Sequence, residues 1–160
     1  MADFHLNGNL QQITIDPTAH VELGQDITLR SFVCLEVGNG ATLKLGNRVF
    51  FNNHCSIRCE HHIEIGKDTM FGDGVRIFDH NHQYSNYHVE KIAFNYGKIS
   101  IGKNCWIGAN VVILKGVTIG DNVIIGAGAV IHKDIPSNSI VVSKEELIIK
   151  ERPQIGRAHV

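Results

Sequence analysis

The chain has 160 residues, of which 43% are hydrophobic and 19% charged, and a net charge of -1. That length suits a single domain spanning 1–160 with its own core, and the composition excludes an intrinsically disordered chain. The absence of a basic excess or a Lys/Arg block argues against nucleic acid and against an anionic membrane as partners.

The first twelve residues, MADFHLNGNLQQ, carry neither a basic start nor an apolar stretch, so no signal peptide is expected. Apolar runs are only a few residues long, far short of a membrane span, and a cytoplasmic location without membrane insertion follows as the expectation. Cys34, Cys55, Cys59 and Cys105 form no CxxC pair, which fits a reduced protein better than a zinc or redox site.

A six-residue period organises most of the chain from residue 15 to 136. Ile15, Val21, Ile27 and Val33 are six apart before Asn39 breaks the series, and Leu45, Phe51 and Ile57 resume it. A slip of two residues resets the frame to Ile65, Phe71 and Ile77. Residues 101–136 then divide cleanly into IGKNCW, IGANVV, ILKGVT, IGDNVI, IGAGAV and IHKDIP. An aliphatic residue opens each unit, and the fifth position is small or apolar throughout. Two inward side chains per six residues describe a short strand followed by a corner. The Gly or Asn beside the aliphatic position suits a corner with unusual dihedrals. Three units make one turn of a triangular coil, and stacked coils bury one apolar column. A helix would need apolar residues three and four apart, which these units lack. Cys55 and Cys105 fall on inward fifth positions and are read as core filler.

The series is interrupted between Ile77 and Ile101, and residues 78–98 are read as an extruded loop. A long loop in a compact domain is usually functional or disordered, and the histidines and aromatics here argue for function. Its motif is Asp79-His80-Asn81-His82. An imidazole titrates near neutrality and is the usual base for activating a hydroxyl, and a neighbouring carboxylate such as Asp79 can orient it. Tyr84, Tyr87 and Tyr96 are able to stack on a sugar face or to pack the loop down.

The repeat, the histidine-bearing loop and the segment Cys105-Trp106-Ile107-Gly108 together resemble the hexapeptide-repeat acyltransferases. The resemblance implies an all-β, left-handed parallel β-helix and an acetyl-CoA-dependent O-acetyltransferase acting on a sugar or glycan hydroxyl. Its loop histidine is the general base, and counting back 24 residues from Trp106 selects His82 over His80. By the same likeness Trp106 shapes the site, Asp79 orients the imidazole, and the Ala109 N–H stabilises the oxyanion. Ala127 would hold the pantetheine arm and Lys133 would lie near the nucleotide end of the coenzyme. Asn53 matches an acceptor-contacting asparagine and is equally a corner residue, while His80 and Tyr84 join it as acceptor-side candidates. The family further implies a homotrimer with active sites between subunits, and no metal.

The sequence departs from that pattern after Ile135-Pro136-Ser137-Asn138-Ser139-Ile140-Val141, where the Gly-x-Pro-Ala segment of relatives is missing. Residues 137–160 are expected to form a tail, with a short helix over 145–150. Two rival readings remain. His54, His61, His62, His80 and His82 invite comparison with the γ-class carbonic anhydrases, which hold zinc on three histidines in this fold. A noncatalytic β-helix serving assembly or binding is the other. No Walker motif and no Gly-x-Ser-x-Gly elbow is present.

Overall fold

The six-residue period resolves into coils of three strands in the computed structural model, which describes residues 4–144. The first coil is β1 (Phe4–Leu6), β2 (Gln12–Ile15) and β3 (His20–Leu23). The second is β4 (Ile27–Leu29), β5 (Cys34–Val37) and β6 (Thr42–Leu45), and the third is β7 (Phe50–Phe51), β8 (Ser56–Cys59) and β9 (His62–Ile65). The fourth runs β10 (Met70–Phe71) and β11 (Arg76–Phe78), leaves as a hairpin of β12 (His80–Ser85) and β13 (His88–Tyr96), and returns in β14 (Ile99–Ile101). The fifth is β15 (Trp106–Ile107), β16 (Val112–Ile113) and β17 (Thr118–Ile119). The sixth is β18 (Ile124–Ile125) and β19 (Val130–Ile131), closed by a bridge between Ile119 and Ile135, and β20 (Ile140–Val141) begins a seventh.

Stacking these coils makes three parallel faces. The first holds β1, β4, β7, β10, β15, β18 and β20; the second β2, β5, β8, β11, β16 and β19; the third β3, β6, β9, β14 and β17. This is the expected all-β coil, and it reaches further at both ends than the period alone indicates. β1 and β2 extend it before residue 15, and β20 pairs with β18, so residues 140–141 belong to the coil rather than to a tail. The short helix expected over 145–150 lies outside the described residues.

Coil length explains why the period is crisp late and ragged early. Hydrogen bonds between C-terminal coils join residues 18 apart, three units of six, as from Lys103 to Asp121. Between N-terminal coils they join residues 22 apart, as from Gln25 to Asn47. The additional residues lengthen the strands: β5, β6, β8 and β9 have four residues each, β15 to β19 two. In the longer strands burial alternates, inward then outward, as the pleat requires.

The aliphatic openers and the fifth positions meet on the axis, where Ile57, Ile77, Ile107, Val111, Ile113 and Val123 are fully buried. Phe51 and Phe71, also fully buried, stack with ring centroids 4.6 Å apart. The corner from the third face to the first turns on left-handed residues, with φ between 56 and 62° at Asp26, Arg48, Asp68, Asn104, Asn122 and Asn138. Asn and Asp tolerate this region, and here their side chains also tie the coils together. The Asn104 amide donates to Asn122 at 3.0 Å, Asn122 donates to Asn138 at 2.9 Å, and Arg48 donates twice to Asp68.

Phe51→Ala removes the larger part of one axial layer and leaves a cavity that rigid neighbouring coils cannot close. The expected loss is about 3–5 kcal/mol of unfolding free energy, read from the urea midpoint. A midpoint at the wild-type value would remove Phe51 from the core.

Candidate active site

A groove of about 500 Å³ runs along the corner between the first and second faces, from the third coil to the sixth. Asn52, Asp73, Trp106, Ala109, Ile124 and Ala127 line it. Glycines let the coils close up beneath it. A Cβ on Gly72 would stand 2.8 Å from the Ala109 nitrogen, and one on Gly108 would stand 2.7 Å from the Ala127 nitrogen. Trp106 is outward on the first face and 55% exposed, in register with Met70 on one side and Ile124 on the other. The groove therefore gathers three residues singled out from the sequence: Trp106, Ala109 and Ala127. Lys133 is exposed at a different corner, between the second and third faces, and does not line it.

Elsewhere on the coil, a corner N–H is capped when the next coil places a short oxygen-bearing side chain above it. Gln25 N–H donates to Asn47, Ser31 to Asn53, Lys103 to Asp121 and Asp121 to Ser137. In the groove the corresponding residues are alanine. Ala109 stands over Asp73 and Ala127 over Ala109, and alanine has no oxygen to offer. Among the described residues the Asp73 and Ala109 N–H groups have no hydrogen-bond partner in the chain, which leaves them available to a ligand.

Asn53 lies one coil below Asp73 and is committed to the turn. Its Nδ2 donates to Asp73 at 3.0 Å, and its Oδ1 accepts the Ser31 N–H at 3.2 Å. The neighbouring Asn52, which donates to the other Asp73 oxygen at 3.2 Å, is the asparagine on the groove wall. Asn52 and Asp73 are absent from the sequence-based set. The signal for them lies in the corner alignment across coils, visible only once the coil lengths are known.

Residues 78–98 are a bulged antiparallel hairpin rather than an irregular loop, with the register shift between His82 and Tyr84. It springs from the corner between the second and third faces. Asp79 is fully buried at its root. The carboxylate accepts the N–H groups of Glu60, His61 and His62 at 2.8–2.9 Å, and the Asp79 carbonyl accepts the Gly97 N–H at 2.8 Å. One residue thus fastens both hairpin legs to the preceding coil. Its remaining contact is with His80, whose Nδ1 is 3.0 Å away. Asp79, expected to orient His82, meets the adjacent His80, while the His82 Nδ1 lies two residues farther out on the hairpin at the Glu90 carbonyl.

His82 is oriented by the backbone. Its Nδ1 is 2.9 Å from the Glu90 carbonyl oxygen, and a carbonyl only accepts, so Nδ1 carries the hydrogen. In the neutral form of this exposed imidazole Nε2 is then the nitrogen without a hydrogen. His80 and His82 share Phe94, each with its ring centroid 4.9 Å from the phenyl ring. Tyr84 is 76% exposed and has no part in this cluster. Within one chain the hairpin and the groove occupy different corners, and His82 does not line the groove.

The histidines do not converge on a metal site. His54 sits at the corner between the first and second faces, His61 and His62 at the start of β9, and His80 and His82 on the hairpin. Among the described residues no three metal-binding side chains cluster. The buried thiols are also poor nucleophiles: burial pushes Cys55 up to about 11 and Cys59 up to about 12, and raises Cys105.

Residues 98–133 match the model of the bacterial transferase hexapeptide, six repeats. Over 104 residues the chain is 36% identical to a Schizosaccharomyces pombe protein named as an acetyltransferase, covering 64% of this chain and 50% of that one. Over 140 residues it is 26% identical to the Escherichia coli protein WbbJ, named for lipopolysaccharide biosynthesis O-acetyl transfer, covering 82% and 71%. The chain spans about half the length of the yeast relative and of staphylococcal relatives that it also matches. In fold it is similar to AntD, an N-acyltransferase from Bacillus cereus solved with dTDP and coenzyme A, at a TM-score of 0.68 and 18% identity, covering 93% and 84%. It is similar as well to galactoside acetyltransferase in complex with coenzyme A, at a TM-score of 0.50 and 28% identity, covering 86% and 60%.

Two outcomes test this geometry. Asp79→Asn weakens the charge-assisted bonds to three amides, each worth about 1.5–3 kcal/mol, so amides 60–62 and 80–96 should exchange hydrogen faster while the coil core keeps its protection. Unchanged exchange in the hairpin would show that it is anchored elsewhere. Native protein at pH 8 is expected to take up no more than one equivalent of a thiol reagent, at the half-buried Cys34, and all four only after denaturation.

Proposed function

We infer that this hexapeptide-repeat protein is an acetyl-CoA-dependent O-acetyltransferase that acts on a hydroxyl of a sugar or glycan precursor. The observation that carries the reading is His82: its Nδ1 is fixed on the Glu90 carbonyl, which leaves Nε2 bare for a proton. The groove supplies the complementary half, an elongated channel with uncapped backbone N–H groups beside an exposed tryptophan. The names of the yeast and E. coli relatives, and the coenzyme bound to galactoside acetyltransferase, support the donor.

In this mechanism the acceptor oxygen attacks the thioester carbonyl as His82 Nε2 takes its proton. The C–S bond breaks, the imidazolium returns the proton to the departing thiolate, and acetyl ester and free coenzyme A result. The Ala109 N–H faces the oxygen that becomes negative, where a preorganised donor acts most strongly. Ala127 holds the pantetheine arm through its backbone and Trp106 walls the site, while Lys133, away from the groove of its own chain, is a cation suited to the phosphates of coenzyme held in a neighbour's groove. On the acceptor side Asn53 and His80 frame the entry and Tyr84 offers a ring, while Asp79 acts through His80 and the hairpin root.

A single chain leaves its hairpin and its groove at different corners, which supports a homotrimer in which each hairpin serves the groove of a neighbour. Threefold closure makes all three sites equivalent. The hairpin carries exposed Tyr84, Tyr87, Val89 and Ile92, and the first face carries exposed Met70, Trp106 and Ile124, apolar surface that a neighbour would cover. Dependence on acetyl-CoA points to the cytoplasm.

Release of free thiol from acetyl-CoA is expected with one or more members of a panel of sugars and glycans. His82→Ala should lower kcat by about 10²–10⁴-fold while coenzyme still binds. Activity retained in His82→Ala and lost in His80→Ala would move the base to His80. Turnover confined to amino sugars would make the enzyme an N-acyltransferase, the chemistry named for AntD.

A further inference from the structure

We propose that the Asp73 carboxylate holds two adjacent hydroxyls of the acceptor sugar and so decides which sugars the groove admits. The proposal rests on the acetyltransferase reading and deepens it, by naming what the acceptor must carry beside the hydroxyl that reacts.

Asp73 lies in the fourth coil on the wall of the groove, and it is exposed. From its place above Asn53, a side chain elsewhere caps the corner N–H of the coil below, as Asp121 caps Lys103 and Asn53 caps Ser31. Here that N–H is already satisfied, because Asn53 N–H donates to Oδ1 of the preceding Asn52 at 3.0 Å. The turn therefore makes no demand on the carboxylate. Two side-chain amides of the third coil hold it instead, Asn53 donating to Oδ1 at 3.0 Å and Asn52 to Oδ2 at 3.2 Å. Backbone donors set the orientation of both amides. Asn52 Oδ1 accepts the Asn53 N–H and Asn53 Oδ1 accepts the Ser31 N–H, which leaves each Nδ2 to face Asp73.

The result is a fixed row of donor, acceptor, acceptor, donor. Each carboxylate oxygen has a further lone pair beyond the amide it accepts, and each amide nitrogen has a second hydrogen. Both amides are neutral, so they hold the charge in place without cancelling it. A hydroxyl both donates and accepts, so two neighbouring hydroxyls match the row. Each gives its hydrogen to one carboxylate oxygen and offers its own oxygen to the flanking amide. An ammonium group has no lone pair for the amides, and a phosphate or carboxylate would meet like charge. The occupant is thus a neutral diol, which a pyranose ring offers on adjacent carbons. Asp73 and Ala109 stand on successive coils, about 4.8 Å apart as strands in a sheet are, so a sugar held by the first lies against an acetyl group held by the second. The carboxylate reaches back to the third coil, at the end of the groove away from Ala127, which keeps the sugar clear of the pantetheine arm.

The test uses the full-length protein with coenzyme A bound. The probes are methyl glucoside, methyl galactoside and methyl mannoside, each with its singly deoxygenated derivatives. Binding is read from the emission of Trp106, the one tryptophan and a groove residue, and transfer from thiol release with acetyl-CoA. At least one parent glycoside should bind, and removing either of two adjacent hydroxyls should weaken it about 10–100-fold. Asp73→Ala should weaken the parent by a similar factor and raise its KM, with the KM of acetyl-CoA unchanged. Removing the same hydroxyls should then cost little more. Alanine already stands at this position in the next two coils, as Ala109 and Ala127, and the deoxygenated series needs no variant at all. The proposal is overturned if no parent glycoside moves Trp106, if no adjacent pair of hydroxyls matters, or if Asp73→Ala weakens parent and deoxygenated sugars equally. Tighter binding of methyl glucosaminide than of every neutral glycoside would overturn it too, by making the occupant a cation. The deoxygenation pattern without any thiol release would sink the transfer reading and leave Asp73 its role. Thiol release indifferent to every hydroxyl except the one that reacts would do the reverse.

Discussion

Every coil must sit in register on the one below, at the spacing of strands in a sheet, and this constraint governs what each corner can hold. Where backbone meets backbone, a Cβ is excluded: added to Gly66 it would stand 2.6 Å from the Lys103 nitrogen, as close as the contacts beneath the groove. One position later the side chain of the next coil decides the state of the N–H below. An aspartate or asparagine closes it and knits the prism together. An alanine leaves it open. The same architecture thus yields a sealed corner and a receptive one by the choice of one residue per coil.

The hairpin obeys a different economy. Its outer surface is exposed along nearly all of β12, and it has no access to the axial core. What holds it is the buried Asp79, which replaces core burial with bonds to three amides and a histidine. A buried carboxylate is costly without such partners, and here each of its oxygens has two. The expense is justified by position: a projection fastened only at its root is free to meet another molecule along its length. Phe94, held between both histidines, carries order from that root out to His82.

Much of this was legible in the residues. The period from Ile101 to Pro136 gave strand, corner and core directly, because coils of 18 residues keep one phase. It faded where coils lengthened to 22, since four-residue strands expose extra positions that break the six-fold pattern. Only Ile15 of β2 joins the period, because Ile13 and Ile15 are 40% and 44% exposed at the open end of the coil, where burial no longer disciplines the sequence. The hairpin read as a loop for a related reason: without a core face, its strands have no alternation to display. The pairing of Asp79 with His80, and the place of Asn52 on the wall, depend on amides and carboxylates one coil away. No local pattern encodes a neighbour 17 to 21 residues distant when the coil length itself varies.

Under the proposed function the site has two unlike halves, and neither suffices alone. A groove with uncapped amides polarises a carbonyl but has no base to move a proton, and an exposed imidazole moves a proton but fixes no electrophile. Each half is built where its own requirement is cheapest. The amides need tight, glycine-floored stacking, found at the corner where Gly72 and Gly108 lie under Ala109 and Ala127. The imidazole needs freedom from the core and a carbonyl to set its tautomer, found on a hairpin that folds Glu90 back over His82. A rigid coil cannot bend one of its corners onto another. In the proposed trimer, bringing the halves together is a matter of packing between copies, and the apolar side chains left outward on the hairpin and beside Trp106 would be the surface for that packing.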